Sequence, residues 1–358
     1  MKNDIIIIGG GLSGLTIAFL LKQKGFSPLL LEANNRLGGR IKTVAGQKVA
    51  IELGATWVFN NDHHLKKLLA ELNIRLFEQY QTGLGIYEIQ KGQASEKFDS
   101  KQMTGGIPYY KIEGGTQQII TKLADHIGEE NIKLNTSITH VEELNDLIML
   151  TTKDGDVFQS RNVVITLPPR LLNESICFQP ELSPMAKEVR ANTHTWMGES
   201  IKFTVEYSTP FWREAGLAGL ALSHIGIVRE VQDHANYADD GFGLLGFLKP
   251  ESLSLNAKER EVQVIEDLKR LFGPEAGSYI SYDDMLWNNE KFTNCTLSNQ
   301  GLQAHQNNGH SMLVQPQMND KLYFAGAETS RFNSGYMEGA VISAIQVAEE
   351  LSTKVTND

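Results

Sequence analysis

The first forty residues alternate between two apolar patterns, one typical of strands and one typical of helices. Residues 5–8 are four consecutive isoleucines, as expected for a strand buried on both faces of a parallel sheet. Leu15, Ala18 and Leu21 follow at helical spacing, and a second apolar run ends at Leu31. This order predicts the strand–helix–strand unit that opens an α/β fold.

The rest of the chain continues with both patterns. Residues 138–158 are typical of a hairpin. In residues 202–207 the apolar Phe203 and Val205 alternate with polar neighbours, which predicts a half-buried strand with these two on one face. Further helices are predicted at residues 63–72, 116–127 and 256–271.

Composition narrows the class of protein. With 358 residues, 41% of them hydrophobic and 21% charged, the chain is globular and long enough for two domains. The formal net charge of −10 disfavours nucleic acid and an anionic membrane as partners. No stretch reaches the roughly 18 apolar residues of a membrane helix, and the chain opens directly with a strand pattern. We therefore expect a cytoplasmic protein.

Metal and hydrolase chemistry find little support in the sequence. Cys177 and Cys295 are too few for a disulfide framework or a thiolate metal site. Asp62, His63 and His64 are metal-ligating types side by side, but adjacent helical residues point about 100° apart and cannot easily grip one ion. No GxSxG motif occurs. We expect no bound metal.

A glycine-rich turn joins the first strand to the first helix. Gly9, Gly11 and Gly14 form a GxGxxG motif, and Glu32 ends the second strand about 20 residues further on. The glycines allow the tight turn, the approach of a pyrophosphate and the packing of helix on strand, while the carboxylate binds a ribose. The helix N-terminus attracts phosphate. Residues 241–246 also match GxGxxG, but no helix pattern follows them, so we interpret them as an inner strand.

Three later motifs indicate which dinucleotide binds. Residues 32–40, 51–58 and 322–340 resemble, in this order, flavin-contacting motifs of the flavin-containing amine oxidase (monoamine oxidase-like) family. Weaker matches at residues 113–115 and 163–169 extend the resemblance over most of the chain.

The resemblance implies FAD as the cofactor. It would be held at the N-terminus of the first helix and at that of the last helix, which residues 335–339 open. Carried over onto this sequence, the expected FAD contacts are Gly9, Gly11, Leu12, Ser13, Gly14, Glu32, Ala33, Arg36, Gly39, Arg40, Leu53, Gly54, Ala55, Thr56, Ile138, Trp287, Gly326, Glu328, Gly335, Tyr336, Met337 and Ala340.

The resemblance also implies the domain organisation. A discontinuous Rossmann-type FAD-binding domain is expected over residues 1–78, 113–190 and 284–358, with a smaller α+β substrate domain over residues 79–112 and 191–283. The first insertion is shorter than is usual in eukaryotic members. This suggests a pocket that is more open or completed by a second subunit, so a homodimer stays open.

Two residues match the family's catalytic positions. Lys202 matches the lysine that holds a water at flavin N5 and assists the reaction with oxygen, where a cation would stabilise superoxide. Tyr336 matches one of the two tyrosines that sandwich the substrate amine. The second tyrosine is missing, because Leu297 stands at its position. Trp57 could supply the aromatic ring on that side of the amine instead. The loop at residues 54–58 has no arginine for a substrate carboxylate, which disfavours amino acids.

The FAD is expected to be held without a covalent bond. The cysteine that tethers flavin in animal monoamine oxidases aligns with Thr296, whose hydroxyl is a poor nucleophile. Cys295 is one residue away, but the paired glycines that precede the tethering cysteine are absent.

The residues and the resemblance together predict an FAD-dependent oxidase of a small molecule, expected to be an amine. Hydride would pass from the carbon next to the amine nitrogen to flavin N5, with oxygen or another acceptor taking the electrons. With oxygen, the products are an imine or aldehyde and hydrogen peroxide. Two alternatives stay open: a C–C desaturase of a carotenoid- or porphyrinogen-like molecule, and a non-catalytic flavin-binding subunit.

Overall fold

Across residues 2–295 and 301–357, which the computed structural model describes, the strands form two large sheets and two small ones. The strands are β1 (Lys2–Ile8), β2 (Leu29–Leu31), β3 (Thr43–Ala45), β4 (Ala50–Glu52), β5 (Leu76–Glu78), β6 (Leu84–Glu88), β7 (Glu96–Asp99), β8 (Tyr110–Ile112), β9 (Ile132–Lys133), β10 (Ile138–Leu144), β11 (Leu147–Thr152), β12 (Val157–Ile165), β13 (Cys177–Gln179), β14 (Ile201–Tyr207), β15 (Leu217–Ser223), β16 (Val228–Asp233), β17 (Phe242–Leu248), β18 (Ser281–Leu286) and β19 (Leu322–Phe324).

Helices flank both large sheets. They are α1 (Leu12–Gln23), α2 (His63–Glu71), α3 (Gln117–Ile127), α4 (Pro169–Ser175), α5 (Pro184–Ala191), α6 (Phe211–Glu214), α7 (Ala257–Phe272) and α8 (Met337–Asn357). The three helices predicted at residues 63–72, 116–127 and 256–271 are confirmed as α2, α3 and α7, each to within one residue. None of the described helices is both long and apolar enough to cross a membrane.

The first large sheet has the mainly parallel core that the isoleucine run predicts. Its order is β13-β10-β11-β12-β1-β2-β9, and β19 also pairs with β12. Strand β1 runs parallel to both β12 and β2. Ile5 and Ile7 pack in the core with α1, α3 and α8, whereas Ile6 and Ile8 pack in the core on the opposite face. Because both faces of β1 are covered, the run is apolar throughout.

The second large sheet is built from the two predicted insertions. Its order is β18-β14-β17-β16-β15-β6-β7, so β17 lies between two partners. This confirms that residues 241–246 belong to an inner strand rather than to a second dinucleotide site. The predicted boundary at residue 284 falls inside β18, which pairs with β14 along its whole length. The boundaries themselves stay predictions.

Strand β14 is buried more completely than its sequence pattern indicated. The prediction of a half-buried strand is wrong, because all seven residues of β14 are buried. Phe203 and Val205 do share one face and pack in the core of the second sheet. Lys202, Thr204 and Glu206 occupy the other face, which meets the segment of residues 46–56 instead of solvent.

Hydrogen bonds fix this contact at several points. The Glu206 carboxylate accepts the backbone N–H groups of Gln47, Lys48 and Val49 at 2.9, 2.6 and 3.2 Å. The Thr204 hydroxyl donates to the carbonyl oxygen of Glu52 at 3.2 Å. The polar face of β14 thereby fixes the turn between β3 and β4 and the end of β4.

We expect Glu206→Ala to lower the free energy of unfolding by about 2–3 kcal/mol, because the backbone amides of residues 47–49 lose their acceptor. Urea unfolding followed by circular dichroism measures the change. Glu206→Gln keeps an acceptor oxygen and should lose less, while Glu251→Ala, at an exposed glutamate, serves as the control. A loss in Glu206→Ala no larger than in this control would contradict the assigned role.

Candidate functional site

A single large cavity brings most of the predicted site residues together. Its volume is about 1460 Å³, and elements of both large sheets line it. Because small-molecule pockets usually measure about 300–1,000 Å³, this cavity has room for a cofactor and a second molecule.

The turn between β1 and α1 lines this cavity. Gly9 has a φ of +110°, and a Cβ on Gly14 would lie 2.0 Å from the Gly9 carbonyl oxygen, so both positions need glycine for the turn itself. For a Cβ placed on Gly11, the nearest atom outside the adjoining residues would be the Cα of Gly39, at 4.0 Å. Packing within the protein therefore does not explain Gly11, whereas a ligand lying against the backbone does.

The N-terminus of α1 offers unused hydrogen-bonding groups to the cavity. No side chain caps this helix end, and the buried Ser13 hydroxyl has no partner within the described protein. Ser13 lines the cavity, as does Asn288, whose buried Oδ1 also lacks a partner. Free N–H groups and a positive dipole end suit the pyrophosphate of a dinucleotide.

Glu32 stands beside this helix end, buried in the cavity wall. Its carboxylate accepts the N–H groups of Gly10 at 2.6 Å and Asn34 at 2.7 Å. Burial raises the pKa of Glu32, while these hydrogen bonds and Arg36 act in the opposite direction. Each carboxylate oxygen keeps a further lone pair, so Glu32 can still accept from a ribose hydroxyl.

The two predicted arginines line the cavity next to Gly39. Arg36 donates to the carbonyl oxygens of Gly39 and Ile41 at 3.0 and 3.1 Å. Arg40 forms a bidentate pair with Glu328 at 2.6 and 2.9 Å. Glu328 is buried and lies outside the cavity wall, and its carboxylate holds Arg40, which is part of the wall.

The structure brings together most of the residues expected at the FAD, but not all of them. Leu53 lies behind the wall, where its carbonyl oxygen accepts from Trp287 Nε1 at 2.7 Å. Gly14 and Glu328 also lie outside the wall, and Leu297 and Thr296 lie outside the described residues. The predicted residues that line the cavity are Gly9, Gly11, Leu12, Ser13, Glu32, Ala33, Arg36, Gly39, Arg40, Gly54, Ala55, Thr56, Trp57, Ile138, Lys202, Trp287, Gly326, Gly335, Tyr336, Met337 and Ala340.

Lys202 is the buried cation of the cavity. Its ammonium donates to the Gly54 carbonyl oxygen at 2.6 Å and to the Thr56 hydroxyl. It also lies 5.2 Å from the centre of the Trp57 ring and 5.8 Å from that of Phe247. Burial lowers the pKa of Lys202 to about 8, although the nearby Glu52 acts to raise it. Burial also raises the pKa of Glu52.

The aromatic surroundings contain residues that the sequence analysis missed. The Tyr336 ring is tilted against that of Trp196 at 5.5 Å and edge-on to that of Phe59 at 6.2 Å. Trp57 lies against Phe247 and Tyr109 at 6.2 and 6.4 Å. Apart from the two predicted residues, these aromatics belong to segments without a family motif. A substrate beside Lys202 and Tyr336 therefore meets aromatic rings on several sides.

A polar network crosses the same part of the cavity. The Tyr109 hydroxyl donates to Gln232 Oε1 at 2.5 Å, and Gln232 Nε2 donates to the Glu230 carboxylate at 2.8 Å. The hydroxyl thus orients the amide so that its NH₂ group faces the carboxylate. Burial raises the pKa of Tyr109 to about 12, and the charge of Glu230 acts in the same direction there, whereas at Lys202 it acts against the effect of burial. No motif marks Glu230, since only the fold brings β16 to the cavity.

At the histidine pair of residues 63 and 64, His64 is paired with a carboxylate at the start of α2. His64 Nδ1 lies 2.8 Å from Glu338, and this carboxylate also accepts the N–H groups of His64 and Leu65 at the start of α2. Within the described ranges, no group of three or more His, Cys, Asp and Glu residues is arranged to hold a metal ion.

Comparisons with known proteins agree with this architecture. The family model described as "Flavin containing amine oxidoreductase" matches residues 12–84 and 76–352. A probable flavin-containing monoamine oxidase A from Dictyostelium discoideum is 22% identical over 99% of this chain and 98% of that protein. Human flavin-containing amine oxidase B is 22% identical over 98% of this chain and 86% of that protein.

Solved structures show the same fold. A double mutant of putrescine oxidase superposes with a TM-score of 0.84 at 22% identity, covering 98% of this chain and 99% of that one. Cyclohexylamine oxidase from Brevibacterium oxydans superposes with a TM-score of 0.84 at 21% identity, covering 99% and 100%.

The chain belongs to the flavin-containing amine oxidoreductase family. It has a Rossmann-type FAD-binding domain with a smaller substrate domain and is an FAD-dependent oxidoreductase. The predictions of family, fold class and cofactor are therefore confirmed. The role of each site residue, the noncovalent attachment, the cytoplasmic location and a homodimer stay predictions.

We expect Glu32→Ala to weaken FAD binding by about 2–3 kcal/mol, because a charge-assisted contact to the ribose is lost. Titration of the cofactor-free protein with FAD measures the change. Glu129→Ala, at an exposed glutamate outside the cavity wall, is the matched control. Unchanged FAD affinity in Glu32→Ala would show that Glu32 only holds the turn through Gly10 and Asn34.

Proposed function

We propose that the protein is an oxidase of primary amines that uses dioxygen as the electron acceptor. The balanced reaction is R–CH₂–NH₂ + O₂ + H⁺ → R–CH=NH₂⁺ + H₂O₂, and water then converts the iminium ion into an aldehyde and ammonium. When bound, FAD supplies the two-electron chemistry that connects the two substrates. The chain's own residues bind, orient and charge-stabilise the reactants.

The observation that carries this proposal is the environment of Lys202. Its ammonium is 1% exposed, yet it lies in the wall of the large cavity among aromatic rings. Burying an ammonium is costly unless its charge is used or compensated. A fixed cation in a site that excludes water stabilises the negative charge that develops on dioxygen during reduction.

Two further features support an amine as the substrate. Tyr336 and Trp57 place aromatic rings in the cavity wall, and aromatic faces attract a nitrogen with cationic character. Glu230 places a carboxylate in the same cavity, held in position by Gln232. A solved relative is described as putrescine oxidase bound to putrescine. A diamine, whose second ammonium pairs with Glu230, is the substrate class that these groups fit best.

The proposal is tested by separating the two half-reactions. Amines should bleach the flavin absorbance without oxygen, and admission of oxygen should restore the absorbance with release of hydrogen peroxide. We expect Lys202→Met to slow the reoxidation by about a hundredfold, because one preorganised cation is lost. Stopped-flow absorbance measures both rates.

Lys42→Met is the control, because Lys42 is a partly buried lysine outside the cavity wall. Equal reoxidation rates in Lys202→Met and the parent would remove Lys202 from the oxygen chemistry. Failure of every amine to bleach the flavin would overturn amine oxidation and favour a desaturase or a non-catalytic subunit.

We expect Glu230→Gln to raise KM for a short α,ω-diamine by about thirtyfold, since a charged contact contributes about 2 kcal/mol. KM for the monoamine of equal chain length should stay within about twofold, because it has no second ammonium to lose that contact. Steady-state peroxide formation measures both constants. An equal rise for both amines would contradict recognition of the distal ammonium.

A further inference from the structure

A second cavity of about 270 Å³ lies behind the active site and opens to solvent. Its wall includes the exposed residues Lys48, Gly114, Tyr237 and Ala238 and the buried residues Glu52, Thr56, Lys111 and His234. The side cavity, as we call it, therefore leads from the surface to four buried polar side chains.

Thr56 links the side cavity to the active site. It lies in the wall of both cavities. From the active-site side, the Lys202 ammonium donates to the Thr56 hydroxyl. Glu52, whose charge acts on Lys202, lies in the wall of the side cavity. The cation of the active site thus has polar contacts that reach the second cavity.

Lys111 is a second buried ammonium, placed on the side-cavity wall. It is 3% exposed and donates to the Ala235 carbonyl oxygen at 2.8 Å. Its nitrogen lies 5.0 Å from the centre of the Phe77 ring. An ammonium can donate three hydrogen bonds, so Lys111 can also hold water in the cavity.

His234 supplies an acceptor at the same wall. Its Nε2 lies 2.6 Å from the Ala50 carbonyl oxygen, and this nitrogen must carry the proton because a carbonyl oxygen only accepts. In the neutral ring Nδ1 is then an acceptor, and it is buried without a partner in the described protein. Water is a suitable partner for Nδ1, because the side cavity is polar and large enough to hold it.

We propose that the side cavity is a hydrated proton passage between solvent and Lys202, with Lys111 as its proton-exchanging group and Thr56 as its last member. This inference rests on the proposed oxidase function. In the balanced reaction above, one proton is consumed as dioxygen becomes hydrogen peroxide. A route through the side cavity delivers that proton without passing the amine in the main cavity.

The acid strengths of the two lysines suit such a transfer. Burial lowers the pKa of Lys111 and that of Lys202 to about 8 each. Proton exchange between groups of similar pKa through water costs little free energy, and both groups exchange near neutral pH. The passage should deliver protons below about pH 8 and lose this capacity above it, as both ammonium groups deprotonate.

Several charged groups surround the two lysines and influence the pH at which they exchange protons. Glu52, Asp233 and Asp239 act to raise the pKa of Lys111, and Arg213 acts to lower it. Glu52 and Glu230 act to raise the pKa of Lys202. His234 stays neutral because burial and the two ammonium groups lower its pKa well below the usual range.

The test compares two substitutions of Lys111 in the FAD-loaded protein. Lys111→Met removes the proton-exchanging group, whereas Lys111→Arg keeps the positive charge and donors but cannot release a proton. We expect both variants to slow flavin reoxidation about tenfold or more and to leave anaerobic bleaching by amine unchanged. Imidazole, a proton donor with no oxidisable amine, should restore the rate in a concentration-dependent manner.

A spectroscopic readout checks the same assignment without turnover. In the holoprotein labelled with ¹³C-lysine, the Lys111 and Lys202 Cε signals, assigned by the loss of one signal in Lys111→Arg and in Lys202→Met, should titrate near pH 8. Parent-like reoxidation in Lys111→Arg, or a Lys111 signal that titrates above pH 10, would overturn the passage. If the parent protein itself does not react with oxygen, the oxidase function fails instead, so the two failures are distinguishable.

Discussion

The rest of the site depends on the polar face of strand β14 being buried against the segment of residues 46–56. Glu206 accepts three backbone N–H groups of that segment, Thr204 donates to the Glu52 carbonyl oxygen, and Lys202 donates to Gly54 and Thr56. Buried polar groups are costly unless they are paired. Because each of these three side chains is paired across the interface, β14 and the segment of residues 46–56 pack together in one register.

This register decides which groups of the two segments lie together in the large cavity. The loop at residues 54–57 lies against the end of β14 that carries Lys202, so the ammonium, the Thr56 hydroxyl and the Trp57 ring share one corner of the large cavity. The N-terminus of α1 lines the same cavity and suits a pyrophosphate. One cavity thus contains both the helix N-terminus and the buried Lys202, the two features on which the proposed function depends.

The aromatic surroundings of Lys202 and Tyr336 contain more than the pair of tyrosines known from monoamine oxidases. Tyr336 lies against Trp196 and Phe59, while Trp57 lies against Phe247 and Tyr109. The cavity wall also carries Glu230, oriented by Gln232. Aromatic faces and a carboxylate both attract a cationic nitrogen. This combination favours a basic substrate over a wholly apolar one such as a carotenoid, and it would suit a molecule with two basic nitrogens.

The sequence by itself determined the dinucleotide unit, the cofactor class and a smaller part of the cavity wall. Residues 5–40 form a local unit, in which the glycine turn, the apolar run and Glu32 act through neighbours close in the chain. The burial of Glu52, Lys111 and His234 and the place of Glu230 in the cavity wall were decided only by the tertiary structure. The hydrogen-bond partners of Glu52, Lys111 and His234 come from segments far apart in the sequence. Alternation alone cannot tell whether a polar strand face meets water or another part of the protein.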